Sequence, residues 1–220
     1  MFHSIFALLF PPRCVLCHKF LQKDEQDFCH DCRKNAPVCE KSNFPFSFLA
    51  GWTAVWYYKD TVRKSILRFK FAGQRSYGSV YGRVLAMKLQ EANLTDFDLL
   101  TWVPVSPLRR LHRGYDQVEL LVNAVSKELG VTPCKTLRKF RHTPPQSGIN
   151  NVYRRRANVL GVYKPVHPEN IGGKRILLLD DVITTGATVS ECAKTLLAAG
   201  AKAVYCGAIA VSEYHTKKCR

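Results

Sequence analysis

Two adjacent acids followed by a hydroxyl-rich turn are the residues in this chain best suited to chemistry. They stand in the run Arg175-Ile-Leu-Leu-Leu-Asp180-Asp181-Val-Ile-Thr184-Thr185-Gly186-Ala187-Thr188. A glycine lets backbone approach a ligand closely, free N–H groups at a helix N-terminus point at an anion, and the helix dipole favours negative charge. The hydroxyls of Thr184, Thr185 and Thr188 add donors. The two carboxylates do not bind phosphate, but they accept hydrogen bonds from a vicinal diol or help to hold Mg²⁺. The combination implies a sugar phosphate, its diol on Asp180 and Asp181 and its phosphate on the turn at 184–188. The plainer alternative is a doubly wound sheet in which one strand merely ends in Asp-Asp and a turn.

A second cluster lies near the other end. Cys14-x-x-Cys17 and Cys29-x-x-Cys32 are two knuckles separated by eleven residues. Such a pair can set four thiolates around one Zn²⁺ at about 2.3 Å, leaving no open position for water or substrate. The role expected of the metal is therefore structural. Disulfides compete with this reading, but they need an oxidising compartment. The opening Met-Phe-His-Ser-Ile-Phe-Ala-Leu-Leu-Phe-Pro-Pro lacks the charged start and small-residue cleavage site of an export signal, and its apolar run is too short to span a bilayer. A cytoplasmic chain is expected. Cys39 has no knuckle partner, and Cys192 and Cys206 sit in apolar patterns as small core residues.

A third constellation is Val103-Pro-Val-Ser106-Pro-Leu-Arg109-Arg110-Leu-His-Arg113-Gly114-Tyr-Asp-Gln117. Arg109 and Arg113, four apart and followed by a glycine, can converge on a diphosphate, with Ser106 as a further donor. Between residues 103 and 160 eleven Lys/Arg face three acids, a net of +8 within a chain whose formal charge is +16. A field of that strength attracts either the phosphates of a nucleotide-like ligand or a nucleic-acid backbone.

The elements around these residues alternate. Trp52–Tyr58, Phe97–Val105 and Ile176–Leu179 read as strands, the last as a parallel strand buried on both faces. Residues 62–71, 77–90, 117–129 and 189–199 carry apolar residues at helical spacing. Strand–helix alternation points to a parallel sheet with helices on both faces, whose ligands bind at the carboxyl ends of the strands. The acid loop and the arginine loop would then open on one edge. An apolar fraction of 46% supports a packed core and excludes a disordered chain.

The run from Ile176 to Gly186 resembles the phosphoribosyl-diphosphate (PRPP) signature of type I phosphoribosyltransferases: a hydrophobic strand, two acids, two apolar residues and Thr-Thr-Gly. Arg113-Gly-Tyr-Asp-Gln117 looks like the Arg-Gly-aromatic-Asn-Gln element of the ComF family, with Asp116 where asparagine is usual. Arg138-Lys-Phe-Arg141-His-Thr143-Pro-Pro-Gln146 and Arg155-Arg156-x-Asn158-Val159 resemble two further elements of that family. The resemblance implies an α/β type I phosphoribosyltransferase fold over residues 46–220, behind a short apolar helix and zinc ribbon at 1–45. It implies PRPP held with Mg²⁺ by Asp180, Asp181 and Thr184, Thr185, Gly186, Ala187 and Thr188, and pyrophosphate on Ser106, Arg109 and Arg113. It further implies work on single-stranded DNA during natural transformation, beside a competence helicase. Exposed aromatics such as Tyr115 or Tyr153 would suit strand stacking. An active Mg²⁺-dependent transferase of nucleotide salvage is the alternative. Two departures matter. Only Cys39 stands where relatives carry a further cysteine pair, which argues against a second metal site. Thr184 occupies the position where several purine-type transferases place an acid, so no general base is assigned.

Overall fold

The computed structural model describes residues 11–40, 46–106, 111, 114–140 and 161–213. The apolar start, Arg109, Arg113, Tyr153 and the motifs between 141 and 160 lie outside the described residues. Along the chain come α1 (His30–Asn35), β1 (Gly51–Tyr57), α2 (Asp60–Phe71), α3 (Tyr77–Glu91), β2 (Leu99–Trp102) and α4 (Gln117–Leu129). A short pair follows, β3 (Leu137–Lys139) and β4 (Tyr163–Pro165), and then β5 (Arg175–Ile183), α5 (Ala187–Ala198) and β6 (Ala203–Val211).

Four strands form one parallel sheet in the order β1-β6-β5-β2, and β3 pairs antiparallel with β4. β5 and β6 fill the centre and are apolar on both sides, as strands sandwiched between helix layers must be. Alternation along them divides the core. Leu177, Leu179 and Ile209 join Ile66, Phe69, Leu85 and Leu121 of α2, α3 and α4. Ile176, Leu178, Val204 and Cys206 join Val189, Ala193 and Leu196 of α5. The expected architecture, a parallel sheet with helices on both faces, is the one present.

Local chemistry fixes the elements near the site. Asp116 caps α4, its Oδ1 accepting from Val118 N (3.0 Å) and Glu119 N (3.2 Å), a contact that typically stabilises a helix by about 1 kcal/mol. α3 and α4 approach closely at Gly82, where a Cβ would lie 2.2 Å from Ala124 Cβ. Because β2 and β5 run parallel, and Val103 N donates to Leu179 O at 2.9 Å, the loops after both strands leave the same edge of the sheet.

The cysteine-bearing segment is built into this core. Cys14, Val15, Leu16, Cys29 and Cys32 belong to the same buried cluster as Val55, Trp56, Val62 and Phe69. Its exit strand covers the free edge of β1: Val38 bridges Trp56 in antiparallel sense, Cys39 N donates to Val55 O and Tyr57 N to Pro37 O. A bare edge would template pairing with another chain.

Candidate metal centre and anion site

Cys14 and Cys17 sit in one turn, Cys29 caps α1 and Cys32 lies inside that helix. Their Sγ atoms all fall within 4.8 Å of one another, and Cys17 Sγ is 3.6 Å from Cys29 Sγ. A tetrahedron of thiolates at about 2.3 Å from zinc has edges of about 3.8 Å. The four residues therefore fit one Zn²⁺, and all four are free thiols rather than disulfides. Burial raises the affinity of Cys14 for its proton, but backbone N–H groups of Cys17, Cys29 and Leu16 outweigh it and hold this thiol below its ordinary value. Burial pushes Cys17 and Cys32 up, a cost that a bound cation offsets by stabilising the thiolate. Cys39 is buried with the α5 layer, in the other core cluster.

The metal segment reaches α2 through its own backbone. Ser65 Oγ donates to Val15 O, and Arg68 Nη2 donates to Leu16 O at 2.6 Å and Val15 O at 3.2 Å. Arg68 belongs to the basic side of the 62–71 helix, a side whose composition suggests solvation. Here it clamps the first knuckle.

At the end of β5 the chain turns through Thr184 and Thr185 into Gly186, whose φ of 75° is left-handed, and α5 begins at Ala187. Ala187 N donates to Thr185 Oγ1 at 3.4 Å. A small pocket open to solvent is lined by Asp180, Val182, Ile183, Thr184, Gly186, Thr188 and Val189. The ring of Phe46 lies against the turn, so that a Cβ on Gly186 would fall 2.0 Å from one of its carbons. Phe46 in turn packs edge-on to Trp52, with centroids 4.9 Å apart. Glycine is thus required at 186 twice over, for φ and for space.

The two aspartates do not form the shared clasp that their adjacency suggests. β5 runs on to Ile183 in register with β6, so successive side chains leave opposite faces. Asp180 follows Leu178 toward the α5 layer and lines the pocket. Asp181 follows Leu179 toward α2, where its Oδ1 meets Lys70 Nζ at 2.7 Å, with side chains 10% and 18% exposed. Asp180 Oδ1 accepts from Asp181 N at 2.8 Å. Burial, then the neighbouring Asp181 charge, push the Asp180 carboxyl up to about 8. The shift favours the protonated carboxyl, a form that brings no negative charge to the wall of an anion pocket and can donate.

The remaining candidates divide. Ser106 is buried just beyond β2, while Arg109 and Arg113 fall outside the described residues. Asp116 is occupied in capping. Tyr115 is buried, its hydroxyl donating to Phe69 O and Arg75 lying 4.7 Å from its ring centre. It is a core residue, not the exposed stacking platform expected of it. Lys70 and Phe46 are site residues that sequence reasoning missed. Lys70 ends a helix before Ala72-Gly73, a position visible in sequence, but its partner lies 111 residues away.

Comparison with known proteins adds the following. Residues 5–49 match the model of the double zinc ribbon domain; among the described residues one four-cysteine group is present. Competence protein F of Haemophilus influenzae is 28% identical over 199 residues, covering 88% of this chain and 82% of that protein. The chain is similar to competence protein F along most of its length. Competence protein ComFC of Streptococcus pneumoniae is 27% identical, covering 87% of this chain and 96% of its own length. DNA utilization protein YhgH of Escherichia coli is 30% identical over 144 residues, 63% of this chain and 62% of that one. Among solved structures, glutamine PRPP amidotransferase from B. subtilis aligns with 65% of this chain and 30% of its own, at 21% identity and a TM-score of 0.45.

Proposed function

We propose that this ComF-like chain is a cytoplasmic PRPP-binding protein that serves DNA uptake in natural competence and handles single-stranded DNA, beside a helicase partner. Its phosphoribosyltransferase-like portion is residues 46–220 and its ribbon 1–45. The names of its relatives, competence proteins and DNA utilization proteins, support the DNA role. The observation that carries the ligand is the pocket at the end of β5, where Thr184, Gly186 and Thr188 meet the buried Asp180. The N–H groups of 185–188 and the threonine hydroxyls take the 5-phosphate. Asp180, on the pocket wall, addresses the ribose, while Asp181 is held on the opposite face of β5 by Lys70, and Ser106, Arg109 and Arg113 receive the pyrophosphate end. Mg²⁺ bound with PRPP neutralises diphosphate charge.

Binding without turnover is favoured by Thr184, which offers no carboxylate where a base would be needed. Calorimetric titration of PRPP with Mg²⁺ tests the reading. The wild type should release heat and saturate. Asp180→Asn/Asp181→Asn should weaken binding by about ten-fold, the order expected when a hydrogen bond to the ligand is lost. Equal heats in both proteins would remove the diol assignment, and no heat in the wild type would remove the ligand. Production of pyrophosphate when nucleobases are added would favour the salvage transferase instead.

A further inference from the structure

The β3–β4 hairpin carries a surface that the sugar-phosphate pocket does not use. Arg138 and Lys164 stand directly opposite one another across the antiparallel pair, and both are exposed. Like charges at facing positions repel. Among the described residues neither has an acidic partner. Phe140 continues the ladder, its N–H donating to Val162 O at 2.7 Å, and by alternation it shares the face of Arg138. Its ring is 53% exposed, and Lys164 Nζ stands 4.1 Å from its centre. The other face of the hairpin is anchored: Leu137 and Tyr163 are buried in the α5-side core.

Among the described residues no acid offsets the two cations beside this exposed ring. The same three groups suit a strand of nucleic acid well. A base stacks on an aromatic face regardless of sequence, and flanking cations take the phosphates on either side. A duplex keeps its bases stacked on one another, so a lone ring that requires a base face selects a single strand. We propose that Arg138, Phe140 and Lys164 form a single-stranded DNA contact on the outer face of the hairpin. This rests on the DNA-handling reading above and gives it a location.

Fluorescence anisotropy with a labelled oligothymidylate, over a series of salt concentrations, tests it on the full chain. Phe140→Ala should weaken binding about ten-fold with an unchanged salt slope, because stacking is not ionic. Arg138→Gln/Lys164→Gln should flatten the slope of log K against log[salt] by about 1.4, two phosphates at about 0.7 each. The thermal midpoint of each variant should match the wild type, since none of the three side chains is buried. Wild-type affinity and slope in all variants would overturn the hairpin site while leaving DNA binding intact. Loss on Arg13→Gln/Phe20→Ala instead, the exposed pair on the ribbon with a 3.9 Å cation–ring contact, would move the contact there. No binding by the wild type at low salt would overturn both the site and the reading beneath it.

Discussion

Replacing Gly186 by alanine probes the phosphate turn and its contact with Phe46 together. A non-glycine residue at φ 75° costs about 1–2 kcal/mol from the clash of Cβ with neighbouring backbone. The new Cβ would also meet two Phe46 ring carbons at 2.0 and 2.3 Å. That overlap forces the ring aside at a cost of about 1–3 kcal/mol. The sum, about 2–5 kcal/mol, is a large share of a domain stability of about 5–15 kcal/mol. The two contributions separate in a double-mutant cycle. In a Phe46→Ala background the overlap vanishes and Gly186→Ala should cost only about 1–2 kcal/mol. Urea unfolding followed by far-ultraviolet circular dichroism gives the four stabilities. An identical cost in both backgrounds, within about 0.5 kcal/mol, would refute the claim that the ring rests on the turn.

Further outcomes follow from other contacts. Lys70→Met leaves Asp181 without its cation; cutting one partner from a buried pair costs about 3–5 kcal/mol, and partial exposure reduces this to about 2–3 here, most of it recovered by adding Asp181→Asn. Because the folded pKa of Asp180 is raised to about 8, its contribution is complete below the unfolded value near 4 and is lost as pH climbs toward 8, at no more than about 1.4 kcal/mol per unit. Asp180→Asn should therefore gain on the wild type between pH 5 and pH 8, read as a difference in urea midpoints; a pH-independent difference would count against a buried, protonated carboxyl. Chelating the metal, or Cys14→Ser, should raise amide hydrogen exchange along α2, since the knuckle carbonyls of Val15 and Leu16 hold Ser65 and Arg68. Unchanged exchange would uncouple ribbon from helix.

Much of this fold is written in local pattern. The helix read over 117–129 has those bounds in the structure, and the others differ by one or two residues, because each has a clean apolar stripe. β5 was harder to bound. Its apolar run stops at Leu179, and two acids look like a strand's end, yet pairing with β6 carries the strand to Ile183. That extension turns neighbouring carboxylates to opposite layers, a consequence of long-range pairing that adjacency hides. The metal ligands were legible because four cysteines at knuckle spacing form a strong signal on their own. Lys70, Arg68 and Phe46 were not: each gains its role from a partner distant in sequence. Tyr115 misled for a related reason, since only the packing of α2 against its ring shows that the phenol is spent on the Phe69 carbonyl.

The proposed pocket can be watched directly by amide chemical shifts in ¹⁵N-labelled protein as PRPP and Mg²⁺ are added. Saturable shifts at Thr185, Gly186, Ala187 and Thr188, reproduced in part by ribose 5-phosphate, are the expected result. Shifts confined to other surfaces, or none at millimolar ligand, would contradict it.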